Sequence, residues 1–396
     1  MVSVQTLKGF RDIPPELAFK RGRAVALLKS VFKSFGFEPL ETPTLEYADL
    51  LEGKYGGEEK LIYKFKDRGG RSVALRYDLT VPLARFVAQN KGNLTFPFKR
   101  YQVGDAFRAE NPQAGRYREF TQVDYDTVGA DTALSDAEII AITASALEIL
   151  NVKDFTILIN DRALFGDLPK KAVQILDKWE KIGVEGVKKE LAAAGLDAAE
   201  ILRQSRDKKP TPRLEKIFNL LKSYGIEEKS WKFDPLLARG LDYYTGMIFE
   251  VKVTGYNGSV AGGGRYDKLI SKVAGVDLPA VGSSFGLDRL MEIIPAETFA
   301  DIPFRPKVLV TVFSPDLLDD TISIFDQIQG MGIDAELYLE PQAKLDKQLK
   351  YADRKSIPFA LIYGPEEKAK GLVTLKSLAK KSQQTIGLTD LPKLLN

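Results

Sequence analysis

The 396-residue sequence contains no cysteine and no histidine. Without cysteine the chain cannot form disulfides or use thiolate chemistry, and without histidine it has no imidazole to serve as base, nucleophile or metal ligand. Catalysis must therefore depend on arginine, lysine, tyrosine and carboxylate side chains, and we predict no metal site built from protein ligands. Carboxylates ordinarily titrate near pH 4, and tyrosine and lysine near pH 10, so no unperturbed side chain of this chain titrates near pH 6.5.

Long apolar runs and an excess of charge are also missing. No segment is long and apolar enough to span a bilayer, and the N-terminal residues lack the apolar core of a signal peptide, so we predict a cytoplasmic protein without a membrane partner. The 57 Lys and Arg nearly balance the 54 Asp and Glu, which leaves a net charge of +3. Any nucleic-acid surface must therefore come from local clusters of charge. The length and the 44% apolar content predict two or three domains.

One segment, residues 237–250, combines a cation with two neighbouring phenols. Arg239 leads into a glycine and is followed by Tyr243 and Tyr244, just before an apolar strand. The guanidinium fork suits a carboxylate or a phosphate, and the hydroxyls can donate or accept hydrogen bonds. This pattern is typical of a pocket wall. Taken alone, this segment favours the alternative, a hairpin with half-buried tyrosines and a solvated arginine.

A β-hairpin is predicted in residues 61–80, where apolar and polar residues alternate around a glycine pair. Arg76, Asp78 and Thr80 have the same parity on its second strand, so they are predicted to share one face. An apolar helix follows, which indicates that this end of the strand is packed.

Residues 98–129 predict two strands that flank a polar loop. Each strand carries polar residues two positions apart, and such residues project from one face. Several polar side chains on one face of central strands are costly unless a ligand or each other satisfies them. The alternatives are a ligand site and a salt-bridged sheet surface. The residues concerned are Arg108 and Glu110 on the first strand and Gln122, Asp124 and Asp126 on the second.

Two prolines, Pro39 and Pro43, interrupt a short apolar segment after the first predicted helix. Because proline cannot donate to a ladder, this segment is predicted to be an edge strand or an interface strand. A dimer contact and a strand end beside a loop are both compatible with it. Residues from about 168 to 230 are rich in Lys, Glu and Ala, which predicts a small helical insertion.

Glycine marks two further polar segments. Three consecutive glycines end at Gly264, directly before Arg265, Tyr266 and Asp267, and they allow close backbone approach to a ligand. Arg289 lies in an apolar setting on a helix predicted to begin just after another glycine.

Four blocks of the sequence together resemble the histidyl-tRNA synthetase family, which belongs to the class II aminoacyl-tRNA synthetases. The Pro43 segment resembles the dimer motif of the class, FRAENPQAGRYREFTQ its second motif and GLDRL its third, while RGLDYY and GGRYD resemble the pair specific to the histidine enzyme. The resemblance covers essentially the whole chain. It implies an α+β fold with an antiparallel-sheet catalytic domain in residues 1–305, which includes the helical insertion. A C-terminal α/β anticodon-binding domain follows in residues 306–396, and this tail independently predicts a βαβαβ order.

The resemblance also implies roles for individual residues. Arg108, Arg239 and Arg289 are expected to be catalytic, because three arginines can stabilise the charge on a reacting triphosphate. The ATP-binding set is Arg108, Glu110, Arg116 and Arg289. The histidine-binding set is Asp78, Thr80, Gln122, Asp126, Arg239, Tyr243, Tyr244 and Tyr266.

The implied reaction has two steps, in which histidine and ATP form histidyl-adenylate and pyrophosphate, and the histidyl group then moves to histidine tRNA. The expected partners are histidine, ATP with Mg²⁺, histidine tRNA and a second copy of the chain in a homodimer. Gln113 matches the position that contacts the extra 5′ guanosine of the tRNA. In the tail, Lys347, Lys350 and Arg354 recur at helical spacing and predict a basic stripe that contacts tRNA phosphates, with a solvated helix face as the alternative.

A second function from another class is a non-catalytic synthetase paralogue that serves as a regulatory subunit of ATP phosphoribosyltransferase. Such paralogues typically lose the arginine of RGLDYY and the anticodon domain. This chain retains Arg239 and a tail of the expected length, so the sequence favours the synthetase.

Overall fold

The computed structural model describes residues 4–112, 115–238, 243–300 and 304–395. Contacts between Cα atoms divide the chain into two compact units, Met1–Thr298 and Phe299–Asn396. Among the helices in these ranges, none has the length and apolar character needed to cross a membrane.

The first unit contains eleven strands and ten α-helices in its described residues. The strands are β1 (Glu38–Pro39), β2 (Leu45–Tyr47), β3 (Lys64–Lys66), β4 (Ser72–Leu75), β5 (Phe98–Phe107), β6 (Glu119–Val128), β7 (Phe155–Asp161), β8 (Trp231–Phe233), β9 (Met247–Val253), β10 (Ala261–Arg265) and β11 (Ala280–Gly286). The helices are α1 (Pro15–Ser34), α2 (Ala48–Leu51), α3 (Thr80–Asn90), α4 (Ala133–Ile149), α5 (Lys170–Leu176), α6 (Trp179–Ala193), α7 (Ala198–Arg206), α8 (Pro212–Ser223), α9 (Asp267–Ala274) and α10 (Leu287–Ile293).

The main sheet has eight strands in the order β1-β5-β6-β11-β10-β9-β7-β8. Its six central strands are antiparallel, and the two edge strands, β1 and β8, pair in parallel with their neighbours. The predicted antiparallel sheet is therefore confirmed. Strand β1 ends at Pro39 and lies at the edge of the sheet, as the missing N–H of proline predicts.

The two faces of this sheet differ because side chains alternate along each strand. On one face the ring of Tyr125 stacks on Phe32 of α1, with 4.9 Å between ring centroids, and lies 5.8 Å from Phe285 of β11. Helices α1 and α4 cover this face, and α4 is buried over most of its surface. Residues of the opposite parity on β6 therefore point away from the helices, and they form the floor of the site described below.

The predicted hairpin is present as β3 and β4, which pair with β2 in a separate three-stranded sheet of order β2-β4-β3. The prediction that Arg76, Asp78 and Thr80 share a strand face was wrong, since β4 ends at Leu75 and Thr80 begins α3. The cause is a cap. Asp78 Oδ1 accepts hydrogen bonds at 3.0 Å from the backbone N–H groups of Thr80 and Val81, which turns the chain into the helix.

Helices α5 to α8 form the helical segment between β7 and β8. The entry to α8 shows why it begins where it does: the Thr211 side chain accepts from the backbone N–H of Leu214, and Pro212 occupies the first turn. Arg213 of α8 donates to Asp136 of α4 at 2.7 Å, which anchors this segment to the main body of the unit.

The second unit is built on a five-stranded sheet of order β13-β12-β14-β15-β16. Strands β12, β13 and β14 are parallel, which confirms the predicted βαβαβ order, and two antiparallel strands that the sequence did not predict extend the sheet. The strands are β12 (Val308–Val310), β13 (Ala335–Leu337), β14 (Phe359–Ile362), β15 (Val373–Ser377) and β16 (Ser382–Ile386), and the helices are α11 (Leu318–Gly330), α12 (Leu345–Arg354), α13 (Pro365–Lys370) and α14 (Leu391–Leu395).

Candidate active site

A cavity of about 350 Å³ lies on the polar face of the main sheet in the first unit. Eleven of the predicted ATP-binding and histidine-binding residues line it, although they come from positions spread over more than half of the chain. They are Asp78, Thr80, Arg108, Glu110, Arg116, Gln122, Asp126, Tyr243, Tyr244, Tyr266 and Arg289. The twelfth, Arg239, lies outside the described residues.

The floor of the cavity is set by the register of two strands. Gln122, Asp124 and Asp126 of β6 lie opposite Gly286, Ser284 and Gly282 of β11, respectively. A glycine is required at Gly282, because a Cβ there would overlap the carboxylate of Asp126. The small residues of β11 thus leave space above the sheet for the longer side chains of β6.

One group in the cavity surrounds Asp126, which is buried. Its Oδ1 accepts a short hydrogen bond from the Tyr266 hydroxyl, and its Oδ2 pairs with the fully buried Arg100 at 2.8 Å. Burial raises the pKa of Asp126, while Arg100 opposes the rise. The Tyr243 ring lies 4.9 Å from that of Tyr244 and 5.9 Å from that of Tyr266. This group offers a buried carboxylate together with phenol hydroxyls.

A second group surrounds Asp78, which is 4% exposed. Besides capping α3, its Oδ1 accepts from the Tyr55 hydroxyl at 3.0 Å. Burial raises the pKa of Asp78, and the hydrogen bonds from α3 and the charge of Arg108 oppose the rise. Thr80 lies beside it at the start of α3.

Asp124 lies on β6, two residues before Asp126, and is 2% exposed. Burial raises its pKa from the ordinary value of 3.8 to about 7, Arg100 opposes the rise and Asp126 adds to it. Composition alone therefore gave an incomplete prediction, because a carboxylate of this chain titrates near neutral pH once it is buried among like charges.

The cationic part of the cavity contains Arg108, Arg116 and Arg289. The Arg108 guanidinium lies 4.3 Å from the ring centre of Tyr77 and 5.0 Å from that of Phe120, and its Nε donates to the Tyr77 carbonyl at 3.2 Å. Such stacking fixes the plane of the guanidinium fork.

Glu110 pairs with Arg116 at 3.6 Å in the same part of the cavity. The prediction that Arg108 and Glu110 share a strand face was wrong, because β5 ends at Phe107 and both residues follow it. Beyond the end of β5, the backbone N–H of Arg108 donates to the carbonyl of Arg118 at 2.9 Å. Both side chains reach the cavity from the connection between β5 and β6.

Arg289 of α10 donates from Nη1 to the Ser259 carbonyl at 2.8 Å, and burial, together with the positive charge of Arg116, lowers the pKa of Arg289.

The start of α10 is held by the N-terminal segment. Arg21 pairs with Asp288 at 2.5 Å, and Arg11 makes a short ion pair with the same carboxylate. These two arginines were not predicted to be functional, because nothing in their local pattern indicates a partner so distant in the chain.

Two arginines from polar segments do not line the cavity. Arg76 donates to the Thr42 carbonyl at 2.8 Å, and Arg265 is buried against Asp136 and Asp267 at 2.6 Å and 2.9 Å. Arg76 therefore joins the segment after β4 to the segment before β2, and Arg265 joins β10 to α4 and α9. The glycines before Arg265 lie in β10, where a Cβ on Gly263 would overlap the backbone of β11, so close strand packing requires a glycine at that position. Gly262 lines the cavity.

Of the predicted tRNA-binding residues, Gln113 lies outside the described residues. Lys347, Lys350 and Arg354 lie on α12, with their side chains away from the buried Gln348 and Ala352. Lys347 pairs with Glu340 at 2.5 Å and Lys350 with Asp346 at 2.7 Å.

The cavity also contains residues to which the family resemblance assigned no role: Asp124, Ser284, Phe120, Glu250 and Asp177. Ser284 shares parity with Gly282 and Gly286 on β11, so the period-two rule could have identified it once the strand was recognised. Asp177 follows α5, and no local pattern connects it with the sheet.

Comparisons with known proteins agree on one family. A model described as histidyl-tRNA synthetase matches residues 9–182 and 187–290, and a model described as an anticodon binding domain matches residues 307–396. A histidine–tRNA ligase of Rhodopirellula baltica is 39% identical over 98% of this chain and 96% of the relative. One of Helicobacter pylori is 37% identical over 96% of this chain and 94% of the relative. The crystal structure of histidyl-tRNA synthetase from Nostoc sp. PCC 7120 superposes with a TM-score of 0.84 at 29% identity, covering 100% of this chain and 99% of that one.

Proposed function

The chain belongs to the histidyl-tRNA synthetase family, and we propose that it joins histidine to histidine tRNA through a histidyl-adenylate intermediate. The observation that carries the proposal is a single cavity in which a buried carboxylate with phenol hydroxyls lies beside three arginines. The first group suits an amino acid with a polar ring, and the second suits a triphosphate.

Histidine recognition requires a partner for each of the two ring nitrogens. Asp126 supplies an acceptor, and its orientation is fixed by Arg100 and Tyr266. The hydroxyls of Tyr243 and Tyr244 supply further partners within the same cavity wall. Asp78, Thr80 and Gln122 bind the α-amino group in this proposal, and family resemblance adds Arg239 at the substrate carboxylate.

Adenylation begins when a carboxylate oxygen of histidine attacks the α-phosphorus of ATP, and pyrophosphate leaves. Negative charge develops on the phosphoryl oxygens, and prearranged cations stabilise it better than mobile water does. Arg108 is proposed to contact the α-phosphate and Arg289 the γ-phosphate, with Glu110 and Arg116 at the adenine end. In the second step a terminal ribose hydroxyl of the tRNA attacks the acyl carbon, and AMP leaves.

Mg²⁺ is proposed to accompany the ATP. Such an ion usually binds the phosphates, several waters and one or two protein carboxylates. Glu250 is the carboxylate suited to this position, since it lines the cavity and its charge acts on Arg289. When bound, the ion would neutralise phosphate charge.

A homodimer is proposed from the exposed face of the three-stranded sheet. Tyr47 of β2, Val73 of β4 and Phe65 of β3 are cross-strand neighbours, and Tyr47 and Phe65 are 58% and 48% exposed. Exposed apolar patches of this kind mark interaction surfaces. The segment containing Pro43 directly precedes β2, in agreement with its resemblance to the dimer motif of the class.

The second unit is proposed to bind the anticodon region of the tRNA, as its matching family description suggests. The basic stripe on α12 is one candidate contact. A cytoplasmic location follows from the proposed role in translation. The alternative function, a regulatory paralogue, is disfavoured because such proteins typically lack the anticodon domain that residues 307–396 match.

ATP–pyrophosphate exchange, measured with each of the twenty amino acids, tests the proposal directly. Exchange is expected with histidine alone. Arg108→Lys keeps the charge but loses the fork and the stacking on Tyr77, and should reduce the exchange rate by about 10²–10³-fold. Arg203→Lys, at an exposed position of α7, is the matched control and should exchange at the wild-type rate. Exchange with another amino acid, or with none, would refute the assignment.

A further inference from the structure

Four buried side-chain atoms of cavity-lining residues have no hydrogen-bond partner among the described residues: Gln122 Oε1, Asp124 Oδ1, Asp126 Oδ2 and Ser283 Oγ. Asp126 Oδ2 is ion-paired with Arg100, and the Ser283 hydroxyl can donate as well as accept. Gln122 Oε1 and Asp124 Oδ1 remain, both acceptors and both buried. Asp124 is 2% exposed, and both residues line the cavity. Buried acceptors are nearly always satisfied in folded proteins, so two of them on one wall indicate a missing donor.

Ser284 connects these two residues. Gln122 Nε2 donates to Ser284 Oγ at 2.9 Å, and Ser284 lies opposite Asp124 across the strand pair, where its hydroxyl lowers the pKa of the Asp124 carboxyl. A hydroxyl has one proton and can accept through its lone pairs, so it accepts from Gln122 and donates to Asp124. This arrangement orients the amide of Gln122 and leaves Gln122 Oε1 and Asp124 Oδ1 without a hydrogen-bond partner in the part of the chain that the structure describes.

Asp78 alone cannot satisfy an ammonium group. Its Oδ1 already accepts from the Tyr55 hydroxyl and from the backbone N–H groups of Thr80 and Val81. An α-ammonium group carries three N–H donors, which require acceptors in three directions. Gln122 Oε1 and Asp124 Oδ1 are two acceptors on the neighbouring floor that have no hydrogen-bond partner within the described ranges.

We propose that Asp124 is a binding residue for the α-ammonium group of the amino-acid substrate, with Gln122 Oε1 as a further acceptor and Ser284 as the positioning residue that orients both. This inference rests on the proposed function, because it takes the substrate to be histidine. It also gives the site a means of rejecting ring-bearing compounds that lack an amino group, since two buried acceptors would then stay unpaired.

Asp126 could be thought to share this role, but the strand geometry separates the two carboxylates. Alternate residues of a strand are about 6.8 Å apart, and Asp126 is already engaged by Arg100 and Tyr266. Asp124 lies one repeat closer to Gln122. The two carboxylates therefore act on different parts of the same substrate.

The test is a comparison of three ligands on two variants, by isothermal titration calorimetry on the full chain at pH 8 without ATP. L-histidine has all groups, L-histidinol lacks the carboxylate, and imidazole-4-propionate lacks the amino group. Asp124→Asn should raise the Kd of histidine and of histidinol by about 10- to 100-fold, the usual effect of losing a charged hydrogen bond. The Kd of imidazole-4-propionate should change by less than about twofold.

Asp126→Asn is the matched control, since it removes a carboxylate from the same strand face. It should weaken all three ligands, because each contains the ring. Equal weakening of all three by Asp124→Asn, or no weakening of any, would overturn the role of Asp124 while leaving the histidine site intact. A wild-type chain that binds neither histidine nor histidinol would overturn the proposed function and this inference together.

Ser284→Ala keeps the carboxylate and tests the positioning role if the Asp124 variant does not fold. It should raise the Kd of histidine and histidinol by about 3- to 10-fold, in proportion to one neutral hydrogen bond. Imidazole-4-propionate should bind unchanged. Equal losses for all three ligands would show that Ser284 acts on the fold of the floor and would overturn its positioning role.

Discussion

Replacing Asp124 with asparagine should stabilise the folded chain strongly at pH 8 and only slightly at pH 4.5. Burial raises the pKa of this carboxyl from 3.8 to about 7, so the folded state holds the proton more tightly than the unfolded state does. A group with a raised pKa stabilises the fold below its unfolded pKa, and this contribution is lost as the pH rises through the folded value. The relevant window therefore runs from about pH 4 to pH 7.

The magnitude follows from the two pKa values. Each pKa unit corresponds to about 1.4 kcal/mol, so a carboxyl that moves from 3.8 to about 7 costs the folded state on the order of 4 kcal/mol once it is ionised. Asparagine has nearly the same shape and does not titrate. The difference in unfolding free energy between variant and wild type should rise from about 1 kcal/mol at pH 4.5 to about 4 kcal/mol at pH 8.

Urea unfolding followed by tryptophan fluorescence measures this difference. The chain has two tryptophans, Trp179 and Trp231, and both lie in the first unit, so the signal follows the unit that contains Asp124. Asp277→Asn, at an exposed carboxylate of the same unit, is the control and should show no pH-dependent difference. A stability difference that stays constant from pH 4.5 to pH 8, or a less stable Asp124 variant at pH 8, would refute the reasoning.

Three further substitutions test the site and the proposed surfaces. Gly282→Ala places a Cβ against the Asp126 carboxylate and should raise the KM for histidine in the exchange assay at least tenfold, with little change for ATP. Lys350→Glu on α12 should weaken tRNA binding and reduce the slope of its salt dependence by about one, without altering adenylation; an unchanged slope would indicate a solvated helix face. Tyr47→Lys combined with Phe65→Lys should convert the dimer to a monomer in sedimentation velocity, and an unchanged mass would contradict the proposed interface.

Period-two alternation predicted the floor of the site well. Gln122, Asp124 and Asp126 were expected on one face of a strand, and β6 carries them in that arrangement. The reason is that β6 is long, regular and central, so its side-chain directions follow from spacing alone. The same rule failed for Thr80, because the side chain of Asp78 bonds to the backbone and starts a helix within two residues. A local cap can override a strand pattern, and its effect depends on the fold around it.

It was harder to predict which of several adjacent polar residues faces the cavity. In the segment Arg265–Tyr266–Asp267, only Tyr266 lines the cavity, while Arg265 is buried against Asp136 of α4. The partner is 129 positions away, so no local pattern can predict which of the three residues faces the ligand. The same limit applies to Arg11 and Arg21, whose shared partner Asp288 lies at the start of α10.

The pH dependence of histidine binding should contain two separable contributions. Free histidine titrates near pH 6.5, and Asp124 titrates near 7 in the empty cavity, where Arg100 of β5, Asp126 of β6, Asp78 before α3 and Ser284 of β11 act on it. An analogue whose ring does not titrate between pH 5.5 and 8 removes the first contribution. If its ammonium group binds only ionised Asp124, wild type should bind it about tenfold more weakly at pH 6 than at pH 8. Asp124→Asn should bind the analogue with a flat profile, and should bind histidine with a bend that belongs to the ligand alone. A persistent bend with both the variant and the analogue would mean that another enzyme carboxylate titrates, and Asp124 would no longer explain the pH dependence.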